Sequence, residues 1–119
     1  MTRLRRTGVA VVAALLVVPT VATAYETFGF GTTPCGRWLQ DRQSRSLESK
    51  VSESWVWGFI SGMNAAAEEF GLSISSAGSE IDSAGRLAWI DNYCHAHPFD
   101  TLTEAAEALW HALLAKGLK

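Results

Sequence analysis

The chain has 119 residues, 10 basic and 12 acidic side chains, and a net charge of −2. An acidic balance argues against nucleic acid as a partner, because phosphate binding needs a basic face. The length allows one domain with a shallow core, a size class that benefits from a covalent staple.

Residues 1–24 have the three-part layout of a secretory signal peptide. Arg3, Arg5 and Arg6 precede an apolar run from Val9 to Val18, followed by Pro19 and the small-residue site Ala22-Thr23-Ala24. The run falls short of the roughly 20 residues that a spanning helix needs, and Pro19 breaks it. Cleavage after Ala24 is expected, giving a soluble protein of the periplasm or cell exterior with no stable membrane span. It removes three of the 10 basic residues and none of the 12 acidic ones, taking the net charge from −2 to −5.

Tyr25 to Thr33 is rich in glycine and aromatics without a period, and reads as an extended arm ahead of a helical domain at 34–119. Thr33-Pro34 has the form of an N-cap followed by proline at the first helical position, opening a short helix with Cys35, Trp38 and Leu39. From about Leu47 to Phe70 the residues Val51, Trp55, Phe59, Met63, Ala66 and Phe70 recur at spacings of three and four. They form one stripe of a long amphipathic helix, closed by Gly71. Within it Gly58 and Gly62 lie one turn apart, and a close crossing by a second helix is the simplest reason to accept two helix-interior glycines.

Leu72 to Ser79 reads as a loop, with an extended piece at Ile74. Asp82 caps a third helix whose Leu87, Ile90 and Cys94 face inward, flanked by Trp89 and Tyr93, and His97-Pro98 ends it. Thr101 to Glu104 is a capping box, and Leu102, Ala105, Ala106, Leu109, Leu113 and Leu114 share one face of the last helix, which Gly117 closes. The fold class is all-α, a compact array of about four helices.

Cys35 and Cys94 are the only cysteines. In the oxidising compartment that the leader implies they can form one intramolecular bridge, which in the chain-entropy model limits the unfolded state by roughly 4 kcal/mol. Redox pairs and zinc sites want cysteines close in sequence with companions at fixed spacing, so a structural disulfide is expected.

Candidates for chemistry are few. Asp91 and His95 stand one turn apart with Cys94 and His97 nearby, but Cys94 is claimed by the disulfide and His97 by the helix end, leaving too few ligands for zinc. No nucleophile elbow, phosphate-cradling glycine loop or glycosidase carboxylate pair is present. The chain therefore reads as no enzyme, with no cofactor and no metal. Trp55, Trp89 and Trp110 fall on or beside apolar stripes, whereas Trp57 shares its face with Ser61, Asn64 and Glu68. Trp57 is either covered by another segment, such as the aromatic arm, or offered to a partner. Trp57, Trp55, Phe59, Trp89 and Trp110 are the candidate partner-binding residues.

The run Trp55-Val56-Trp57-Gly58-Phe59-Ile60-Ser61-Gly62-Met63-Asn64, then Asp82, Trp89 to Cys94, His97-Pro98 and Leu102 to Ala106, resembles small exported bacterial helical proteins. It is similar to the HdeA/HdeB group of periplasmic acid-stress chaperones, over roughly Pro34 to Leu114. The resemblance implies a signal-bearing helical domain with one disulfide that binds unfolded clients. His97-Pro98 and Ala105 to Leu114 also resemble the end of type VI secretion amidase-immunity proteins, although those often carry cysteines this chain lacks. That comparison implies instead an inhibitor with one dedicated partner, such as a secreted cell-wall amidase. Unfolded clients or one protein partner are the expected partners, and a homodimer is left open.

Overall fold

The computed structural model describes residues 25–72 and 81–117. The leader read at 1–24 lies outside them, as does the loop read from Leu72 to Ser79 except for Leu72 itself. The described residues are all-α: α1 Cys35–Ser44, α2 Leu47–Glu69, α3 Ser83–Ala96 and α4 Leu102–Gly117, preceded by a 3-10 turn at Gly29–Thr32. α1 packs on α3, and α4 packs on both α2 and α3. The turn of the arm sits against α2 and the start of α4. None of these helices is long and apolar enough to cross a membrane.

Local chemistry sets the helix ends. Ser46 Oγ accepts from Ser49 N at 3.2 Å and Asp82 Oδ1 from Gly85 N at 2.7 Å, each satisfying a first-turn amide that has no partner within its helix. Glu104 Oε2 accepts from Thr101 N at 2.6 Å and from Thr101 Oγ1 at 3.1 Å, the glutamate side of the expected capping box. Gly71, at φ +73, stops α2 with Leu72 N donating to Ala67 O. α1 begins one residue later than the sequence implies. Pro34 stays extended and pairs with Thr101 in an isolated bridge, because Cys35 N donates to Asp100 O and Leu102 N to Thr33 O.

Trp38, Val56, Ile90, Leu102 and Leu109 are almost wholly buried and bring all four helices into one core. Burying side chains of this size favours folding by about 1.5 to 3 kcal/mol each. Cys35 and Cys94 are bonded, both fully buried, with Cα atoms 4.9 Å apart. The disulfide ties the first residue of α1 to the last turns of α3, as the pattern of two cysteines implies.

Two expectations about α2 are corrected. Its buried residues are Ser49, Ser52, Glu53, Val56, Ile60 and Ala67, a stripe roughly a quarter turn round from the expected one. Val51 and Phe70, expected inside, are exposed, Phe70 at 83%. Gly58 and Gly62 are exposed too, and a Cβ at either would meet nothing within 4 Å among the described residues, so no second helix crosses there. The close approach is at Gly31 instead, where any side chain would collide with Trp55 and Thr103.

Candidate functional site

The arginine at the end of α1 organises the charged side of the molecule. Arg42 lies two helical turns beyond Cys35, so the disulfide that fixes α1 against α3 also sets its guanidinium beside Asp91. Arg42 Nη2 donates to Asp91 Oδ2 at 2.9 Å and Nε to Oδ1 at 3.2 Å, while Nη1 reaches Glu53 Oε1 on α2 at 2.9 Å. Asp91 also accepts from Trp38 Nε1 at 2.8 Å, giving the only polar atom of a fully buried indole its partner. Glu53 takes further bonds from Ser49 Oγ at 3.1 Å and Lys50 Nζ at 3.2 Å. Burial pushes the Glu53 carboxyl up, but the bonds from Lys50, Arg42 and Ser49 outweigh it and hold the group below its ordinary value. One guanidinium thus bridges three helices through two carboxylates.

These side chains form one wall of a cleft of about 780 Å³ between α1, the start of α2 and α3. Leu39, Gln40, Gln43, Arg45 and His95 complete much of its lining. Arg45 sits in the left-handed region at φ 52, the sole residue other than glycine with positive φ among those described.

The five aromatic candidates are distributed over the molecule rather than gathered. Trp55 is half-buried beneath the arm, donating from Nε1 to Phe28 O at 3.0 Å and stacking on Phe59 with ring centroids 5.1 Å apart. Trp57 is half-buried with the Arg86 guanidinium over its ring at 5.8 Å. The arm covers Trp55 of α2, and α3 reaches Trp57. Trp89 stacks on Tyr93, and Trp110 is core, 8% exposed, with Nε1 bonded to Asn64 Oδ1 at 2.8 Å. Among the apolar groups most open to solvent are Phe99 at 98% and Phe28 at 75%. Neither lies on a helical stripe, so periodicity gives no signal for them.

The arm is fastened at both ends. Tyr25 OH donates to the Glu107 carboxylate, and Thr103 Oγ1 to Gly31 O at 2.9 Å. The bond to Glu107, with burial, pushes the Tyr25 hydroxyl up to about 12. Burial and a 2.7 Å bond to Asp100 raise Tyr93 to about 12 as well.

The residues clustered around His95 are used separately. Asp91 faces Arg42, Cys94 is in the disulfide, and His97 stacks on Tyr93 and donates from Nδ1 to its carbonyl at 2.9 Å. Among the described residues no group of three or more His, Cys, Asp or Glu is placed to hold a metal ion. No protein-family model, curated protein or solved structure matches the chain.

Proposed function

We propose that this chain is an exported, non-enzymatic binding protein of the periplasm that acts as an acid-responsive holdase for unfolded proteins, as the resemblance to the HdeA/HdeB group implies. The observation that carries this reading is the unequal fastening of the helices. α1 and α3 are joined covalently, whereas α2 is joined to them by the core, by the carboxylate bridge from Glu53 to Arg42 and by the Arg86 guanidinium over Trp57. Acid protonates Glu53 and leaves every cation in place. Ion pairing is lost while like-charge repulsion rises, and the disulfide limits the response to partial opening. α2 carries Trp55, Trp57 and Phe59, whose covered faces then become available to apolar segments of a client.

The test is suppression of aggregation. The disulfide-bonded protein, at an amount equal to an unrelated periplasmic protein, is expected to keep that protein in solution near about pH 2 to 3 and to release it on neutralisation. Continued aggregation at several-fold excess would sink the holdase. The charged cleft, open at neutral pH, favours a second reading: an immunity-type inhibitor of one dedicated partner. That reading requires tight binding of a single protein at neutral pH, where a holdase captures none.

A further inference from the structure

Beyond either reading, hydrogen-bond accounting inside the cleft leaves a surplus of one kind. Each of the two carboxylates on its wall already accepts three hydrogen bonds. Asp91 Oδ1 accepts from Trp38 and Arg42 and Oδ2 from Arg42, while Glu53 Oε1 accepts from Arg42 and Ser49 and Oε2 from Lys50. Arg42 is equally occupied, its Nε, Nη1 and Nη2 all directed at these acids. The donors are not exhausted. Lys50 directs one bond to Glu53 and is otherwise exposed, its side chain at 69%. The side chains of Arg45, Gln40, Gln43 and His95 have no hydrogen-bond partner among the described residues. Three cations, Arg42, Arg45 and Lys50, thus line the cleft against two acids, a surplus of one positive charge on a chain whose net charge is −2. Glu48, the carboxylate in the first turn of α2, acts on Arg37, and neither lines the cleft.

The position of Arg45 adds to this. A left-handed residue after a helix is ordinarily glycine or asparagine, since a larger side chain there strains the backbone. Here the strained position holds a free guanidinium at the edge of the cleft, close in sequence to Lys50. The neighbouring donors Gln40 and Gln43 are amides, which can both donate to and accept from peptide groups. Phosphate is a poorer fit, because the one arginine positioned to clamp it with both prongs, Arg42, already holds Asp91.

We propose that this cleft binds a short acidic peptide segment of a partner protein, with a carboxylate between Arg45 and Lys50 and the adjoining peptide groups against Gln40 and Gln43. The disulfide-bonded protein, labelled with 15N, is titrated at neutral pH with a blocked hexaglutamate peptide, a hexaglutamine peptide and inorganic phosphate. Hexaglutamate is expected to shift the amides of Gln40 to Lys50 in a saturable way. Arg45→Asn, which suits the left-handed backbone, is expected to weaken binding about tenfold at a melting temperature no lower than that of the parent. Gly36→Phe gives an independent check, since a Cβ at this wall residue meets nothing within 4 Å and the added ring fills the cleft without removing a charge. This variant is expected to abolish the shifts. Equal binding of hexaglutamine, equal effect of phosphate, shifts confined to other helices, or no saturable shift would each overturn the proposal.

Discussion

Asp91 accepts three hydrogen bonds from two side chains of α1, and its removal is more costly than the loss of one ion pair. Asp91→Ala strands the indole N–H of Trp38, which is 0% exposed, and leaves Arg42 with Glu53 alone. A buried donor left without a partner costs about 1 to 3 kcal/mol, so the variant is expected to lose about 2 to 3 kcal/mol in all. Asp91→Asn retains an acceptor for Trp38 and is expected to lose less. Urea unfolding checks both, the midpoint falling while the slope stays constant. In the sequence, Asp91 draws notice only through His95 one turn away. Its real partners, Trp38 and Arg42, lie on another helix, and no spacing rule connects residues 53 and 49 positions apart.

At the scale of the helices, α2 shows where periodicity stops being informative. Its sequence offers two plausible inward faces, because Val51, Trp55, Phe59 and Phe70 are matched on the next face by Val56, Ile60 and Ala67. The choice between them rests on Ser49 and Glu53, polar residues that are buried because they join the Arg42 network. The ends of α2, α3 and α4 were legible because Gly71, Asp82 and Thr101 act on backbone groups within a few residues. So were the inward faces of α3 and α4, and the disulfide, since only one pairing exists. The cleft was not legible, being assembled from three helices. For Gly58 and Gly62 the exposed setting reverses the expected effect of substitution. Alanine at an open helix-interior glycine favours the helix by roughly 1 kcal/mol, so Gly58→Ala and Gly62→Ala are each expected to raise the melting temperature. A close crossing would lower it through overpacking.

For the whole molecule, pH is the variable that acts on every helix contact at once. Glu53 is held below its ordinary value in the fold, so it contributes stability that is fully present at neutral pH. That contribution starts to fade below the glutamate range of the unfolded chain, near about pH 4.3, and is gone once the pH has fallen through the lower folded value. Glu53→Gln is expected to be less stable at neutral pH and to lose less on acidification, a convergence that urea midpoints measured from neutral to acid pH will show. Covalent topology has a further consequence at this scale. The bond between Cys35 and Cys94, 59 positions apart, closes a ring that contains α2 whole and nearly all of α1 and α3, with the arm and α4 as its two tails. The tails hold each other, Tyr25 to Glu107 and Gly31 to Thr103. The stretch of chain from α2 to α3, residues 70–82, lies inside the ring. A protease that cuts it once therefore leaves one molecule of undiminished mass, whose two pieces part only when the disulfide is reduced.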